Sequence, residues 1–225
     1  MAVYSILQQE GESFIEHCAP LFVPENNSKP AFHALRDEFN ATTDARRKAA
    51  LFIFLNRHGY NGLCRYNTKG RLNVPFGRYE HPQFPRERMR IFHHFLQSCE
   101  LEHSDFRAVI ARTGEGDFVY CDPPYVPASD TANFTTYARD GFTAGDHIDL
   151  VACCRDASAR GAWVVVSNHD TSVTRELYRE ANEFHELSVA RRISCQSETR
   201  NHVRELLAVF HPRGQATGTD PPGAA

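Results

Sequence analysis

The stretch Phe118-Val119-Tyr120-Cys121-Asp122-Pro123-Pro124-Tyr125 decides how this chain folds. Four β-prone residues run directly into a carboxylate, two prolines and an aromatic ring. Proline offers no N–H to a sheet and locks φ, so a strand ends at Asp122 and a rigid turn follows. A second run of the same kind, Ala162-Trp163-Val164-Val165-Val166-Ser167, also ends in polar residues, and a helical pattern from Ala144 to Arg160 separates the two. Strand, helix and strand in that order predict parallel strands joined by a crossover. The fold class is therefore α/β, with ligand sites at the carboxyl ends of strands.

Working outward, Ala31 to Arg57 carries apolar residues at helical spacing, interrupted at Asn40 to Asp44. From His58 to Pro85 the chain is rich in Gly, Asn and Arg, with turn signals at Asn61-Gly62, Lys69-Gly70 and Phe76-Gly77. Helical patterns return at Arg86 to Gln97 and, briefly, at Asp105 to Arg112. Past the second strand the sequence predicts a helix over Ser172 to Asn182 and a terminal strand pair, Glu186 to Ala190 and Glu205 to Phe210. The tail from Pro212, with its Gly, Thr and Pro, is expected to be disordered.

With 225 residues, 41% of them hydrophobic and 24% charged, the chain has the make-up of an ordinary globular protein. No run approaches the roughly 18 apolar residues of a membrane span, and the first residues lack a signal-peptide pattern, so a cytosolic protein is expected. Seven cysteines without a Cys-x-x-Cys pair read as reduced, mostly buried thiols. Twelve scattered histidines show no zinc-ligand spacing, and no metal is expected.

The net charge of −3 conceals a strong asymmetry. Between Arg57 and Arg90 lie eight cations and two acids, a net +6, which leaves −9 for the remainder. Tyr60, Tyr66, Phe76, Tyr79 and Phe84 interleave with these cations. That mixture suits phosphates that need neutralising and bases that need stacking or wedging. A solvated loop with snorkelling arginines would show the same charge count.

The Asp122–Tyr125 turn suits methylation of an exocyclic amino group. The N6 nitrogen of adenine is a poor nucleophile because its lone pair is delocalised into the ring. Acceptors set against its two hydrogens, the Asp122 carboxylate and the Pro123 carbonyl, draw the nitrogen toward a tetrahedral shape and free that pair. Tyr125 would stack on a base flipped out of the duplex, offsetting part of the unstacking cost. On its own the tetrapeptide also fits a plain structural turn, with Tyr125 as a core lid.

Several stretches together resemble the Dam-type DNA adenine methyltransferases: Leu55 to Asn67, Phe76 to Tyr79, Tyr120 to Tyr125, Thr131 to Phe134 and Ser167 to Thr171. The likeness runs from about Tyr4 to His211. It implies transfer of a methyl group from S-adenosylmethionine to adenine N6 in double-stranded GATC sites, on a Rossmann-like fold of S-adenosylmethionine-dependent methyltransferases. Asp122, Pro123, Pro124 and Tyr125 match the catalytic motif, and the position of Asp122 also contributes to the cofactor site. Tyr60 and Asn61 match residues that enter the base stack around the flipped adenine; Leu63, Arg65, Pro75 and Arg78 match residues that contact base edges. Arg57, Lys69 and Arg71 are expected on phosphates, and Asn133, Arg191 and Arg192 are candidates for further backbone contacts. By the same likeness, 1–97 would hold a remnant connection and a helical and hairpin target-recognition region, 98–211 the C-terminal half of the α/β domain, and 212–225 the disordered tail.

The chain departs from the family at its start. The family's Lys-bearing segment, its F-x-G-x-G turn and the strand ending in an acidic residue are not present; Gly114-Glu115-Gly116 lies in the wrong place. The resemblance thus implies a sheet without its first strands, an exposed hydrophobic strand edge and a depleted cofactor pocket. A site-specific bacterial or phage enzyme is expected. The alternatives are an inactive DNA-binding remnant, or the C-terminal piece of a split enzyme completed by a separately encoded N-terminal polypeptide. The isolated chain is expected to bind S-adenosylmethionine weakly or not at all. Isothermal calorimetry tests this, and micromolar binding would overturn it.

Overall fold

The computed structural model describes residues 2–127, 141–190 and 202–212. The chain divides into two compact units, Met1–His103 and Ser104–Ala225. The expected tail lies outside the described residues, apart from Pro212.

The first unit is helical. No helix is expected before Ala31 from the sequence pattern, yet the structure opens with α1 (Ala2–Glu10) and α2 (Glu12–Cys18). Gly11 breaks the periodicity between them. It has φ +52°, and a Cβ there would sit 2.7 Å from the His93 ring, so both the backbone and the packing require glycine. The next helices are α3 (Lys29–Ala41) and α4 (Ala45–His58), with the predicted interruption between them. Ser28 caps the first by accepting from the Ala31 amide; Asp44 caps the second by accepting from Arg46 and Arg47. α4 buries Ala50, Leu51, Phe54, Leu55 and His58 against Phe14, Ile15 and Phe32. α5 (Arg86–Leu96) completes the bundle, its His93 Nδ1 donating to the Leu7 carbonyl at 2.8 Å.

The basic segment between α4 and α5 has little regular structure, and two kinds of contact anchor it. Leu72 and Val74 point into the helical core and are nearly fully buried. Asn40 pairs with the Leu72 backbone in both directions, at 2.8 and 3.0 Å, and Arg36 donates to the Val74 carbonyl at 2.9 Å. An irregular chain thereby has its buried polar groups satisfied.

The second unit is a mixed α/β layer. After α6 (Phe106–Ile110), strand β1 (Phe118–Cys121) is followed by α7 (Ala144–Ala159) and β2 (Trp163–His169), then by α8 (Ser172–Leu177), β3 (Glu183–Ala190) and β4 (His202–Phe210). The described sheet has the order β1-β2-β4-β3. β1 and β2 are parallel, as the strand–helix–strand order predicts, with Cys121 opposite Val166. β4 is antiparallel to both neighbours. Val164, Val166, Leu206, Ala208 and Phe210 pack with Leu150, Cys154 and Ala157 of α7. Thr143 and Asp146 form a reciprocal cap at the start of α7. α8 is shorter than the sequence suggests: after Tyr178 the bonds tighten to turns, Arg179 to Glu176 and Ala181 to Tyr178, and the Asn182 amide already pairs with Val209 of β4. No helix among the described residues is long and apolar enough to cross a membrane.

Burial lowers the pKa of His58 and His147 below the ordinary 6.5, and burial together with the nearby Arg46 and Arg47 does the same to His17. The unfolded chain takes up these protons as pH falls through about 6.5 while the folded chain still resists them. Stability is therefore greatest above that pH and declines on acidification toward the lower folded values. Urea denaturation at pH 7 and pH 5.5 checks this, with the lower midpoint expected at pH 5.5.

Candidate active site and nucleic-acid interface

Asp122 stands where β1 ends, and the parallel register places it beside Ser167 of β2. The Ser167 hydroxyl donates to Asp122 Oδ1 at 3.0 Å; the Cys121 carbonyl is farther, at 3.4 Å. Asp122 is exposed, Pro123 buried, Pro124 exposed and Tyr125 half-buried. The sheet thus presents the carboxylate while the first proline anchors the turn. The Tyr125 hydroxyl donates to Glu205 Oε2 at 3.4 Å, and its ring lies edge-on to His169 at 5.0 Å. Burial pushes the Tyr125 phenol above its usual range, which keeps it neutral.

The turn leaves toward Val126, which is buried and held on both sides. Its N–H donates to Asn168 Oδ1 at 3.0 Å, and its carbonyl accepts from His169 Nδ1 at 2.7 Å. A carbonyl only accepts, so Nδ1 of His169 carries the proton. Asn168 is fully buried, accepts also from the His169 amide at 2.9 Å, and donates to the Tyr178 hydroxyl at 3.1 Å. Burial raises the Tyr178 phenol strongly, so it too stays neutral.

β1 is one of the two outermost strands of the described sheet, and Phe118 and Tyr120 are 67% and 57% exposed on one of its faces. Among the described residues no three His, Cys, Asp or Glu side chains converge to hold a metal.

In the first unit the basic segment folds back on itself through bridges between Gly59 and Phe76 and between Tyr66 and Leu72. Tyr60 donates its amide to the Pro75 carbonyl at 2.9 Å, and Gly77 to that of His58 at 2.8 Å. These bonds bring Tyr60 and Asn61 together with Pro75 and Arg78. Asn61 and Arg78 both have positive φ, +53° and +58°, uncommon for residues with a Cβ. The Asn61 amide donates to the Tyr79 hydroxyl at 2.9 Å. Tyr60, Arg65, Pro75 and Arg78 are exposed, whereas Leu63 is half-buried.

Arg65 is braced by Asn73, with Nε to Asn73 Oδ1 at 2.9 Å and Nη2 to its carbonyl at 3.1 Å. This occupies one edge of the guanidinium and points the other end outward. Nothing in the sequence singles out Asn73 for this role. Arg57, Lys69 and Arg71 are exposed, as phosphate contacts require. Of the eight cations between Arg57 and Arg90, Arg86 and Arg90 form ion pairs among the described residues. Arg86 pairs with Glu16 and Glu12, and Arg90 pairs at 2.6 Å with both Glu12 and Glu87. Arg90 draws the Glu12 carboxyl down to about 2. The outward positive charge is consequently smaller than the sequence count. Asn133, Arg191 and Arg192 lie outside the described residues.

The profile of the D12 class N6 adenine-specific DNA methyltransferase family matches residues 1–194. The chain belongs to that family. It is 41% identical over 212 residues to a DNA adenine methylase of Escherichia coli strain K12, an alignment that covers 94% of this chain and 76% of that protein. A Salmonella typhi DNA adenine methylase is 41% identical over 217 residues, and a Vibrio cholerae one 42% over 210, covering 77% and 76% of those proteins. These comparisons give no support to a separately encoded N-terminal partner. Membership of the D12 class gives the chain its reaction, site-specific methylation of adenine N6 in DNA.

Proposed function

We propose that this D12-class chain uses S-adenosylmethionine to methylate adenine at GATC sites in double-stranded DNA, with the Asp122–Tyr125 turn as its catalytic element. The observation that carries the proposal is the Ser167–Asp122 bond at the end of β1. It occupies Oδ1 and orients Oδ2 of the same carboxylate to accept one amino hydrogen of the target adenine. The Pro123 carbonyl accepts the other. Drawing both hydrogens out of the base plane frees the nitrogen lone pair, and Tyr125 stacks on the extruded ring. Two prolines fix the spacing of these acceptors before substrate arrives, so little reorganisation is needed at the reactive moment.

Residues 1–97 serve in this proposal as target-recognition region and 98–211 as part of a Rossmann-like methyltransferase domain. Tyr60 and Asn61 enter the stack around the extruded adenine. Arg65, held on one edge by Asn73, offers its free end to guanine O6 and N7, Arg78 offers a second guanidinium, and Leu63 and Pro75 pack on thymine methyls. Arg57, Lys69 and Arg71 hold phosphates and set the register without reading sequence.

S-adenosylmethionine supplies the electrophilic methyl group when bound. The described residues offer it the Asp122 carboxylate beside an outermost strand with exposed aromatic side chains.

Restriction protection of GATC-containing DNA at saturating donor tests the proposal. With donor in large excess, enough to offset weak binding, the chain is expected to protect these sites, and Asp122→Ala to abolish protection while DNA affinity is retained. DNA binding without methylated product would instead mark a binding remnant. Arg65→Ala is expected to cost roughly 1–3 kcal/mol at the cognate site and to relax preference at one base pair, measured by competition between cognate and single-substitution duplexes.

A further inference from the structure

Two consecutive prolines deprive the Asp122–Tyr125 turn of two backbone donors, and among the described residues no backbone hydrogen bond closes it. The carboxylate at its start is tied by Ser167 at 3.0 Å. The peptide at its end, Val126, is tied through both of its polar groups, by Asn168 at 3.0 Å and His169 at 2.7 Å. All three anchors are consecutive residues at the end of one strand. In a strand their side chains alternate between faces, yet each finds a partner on the turn or its exit because the turn passes over the carboxyl end of β2.

We infer that Asn168 is a positioning residue for the reaction, clamping Val126 so that the Pro123 carbonyl and Tyr125 ring stand in register with Asp122. The inference rests on the proposed role of the turn as the adenine-holding element. Asn168 is suited to this because its amide has both kinds of polar group. Its oxygen accepts from the N–H groups of Val126 and His169, which together fix which way the amide faces, and its nitrogen donates to the Tyr178 hydroxyl behind it. Asn168 and Tyr178 are both fully buried, so water cannot substitute readily for either bond.

Amide exchange and steady-state kinetics test the assignment together. In the wild-type chain the Val126 amide is expected to exchange at least ~1000-fold more slowly than an unprotected amide, although it follows an exposed proline turn. Asn168→Ala is expected to speed that exchange at least about tenfold and to lower kcat about 100-fold, with KM for a GATC duplex within about twofold, since a misplaced acceptor harms the transition state more than binding. Tyr178→Phe also removes a buried hydrogen bond but leaves Val126 clamped, and it is expected to keep kcat within about threefold. An unprotected Val126 amide in the wild type overturns the inference even if Asn168→Ala fails to fold. Equal losses in the two variants, or a rise in KM without a fall in kcat, also overturn it. A wild-type chain that transfers no methyl group counts against the proposed function, while the exchange rates still judge the clamp.

Discussion

The parallel pairing of β1 with β2 is the constraint on which the site depends. Cys121 lies opposite Val166, so the next residue on each strand, Asp122 and Ser167, emerges at the same level of the sheet. Their hydrogen bond follows from that register. A slip of one residue would turn Ser167 to the other face and leave the carboxylate without its donor. The pairing is secured by apolar burial behind it, with Val164 and Val166 packed against α7 and the flanking strand β4. Chemistry at the strand ends is thus positioned by the hydrophobic layer beneath them.

The helical unit solves a different problem, which is holding an irregular, cationic segment in one shape. Leu72 and Val74 insert into the core, and Asn40 and Arg36 satisfy the backbone around them. Between these fixed points the segment carries left-handed Asn61 and Arg78, conformations that persist only where surrounding contacts enforce them. The Tyr79 hydroxyl and the bridge from Gly59 to Phe76 supply that enforcement. The exposed side chains of this segment are in this way displayed by a rigid frame.

Ion pairing redistributes the charge seen in the sequence. Arg86 and Arg90 lie within the basic segment by position, but α2 supplies Glu12 and Glu16 to meet them. These exposed pairs add little stability each. Their consequence is electrostatic: part of a cationic run that looks uniform is neutralised from another helix.

Much of this was legible in the residues alone. The φ-locked prolines after Phe118–Cys121 marked the strand end, the Asn40–Asp44 break separated α3 from α4, and the strand–helix–strand order required β1 and β2 to be parallel. Local chemistry dictates each of these, through caps, periodicity and proline geometry. The helices α1 and α2 escaped because Gly11 interrupts a short pattern that only packing against His93 explains. The early end of α8 escaped because it depends on the pairing of Asn182 with Val209 of a strand distant in sequence. The sequence by itself thus determined which residue types stand at the turn and in the basic segment. Only the tertiary structure decided that Ser167, Asn168 and His169 hold the turn and that Asn73 braces Arg65, because such partners are chosen by strand register and burial, which short-range residue patterns do not encode.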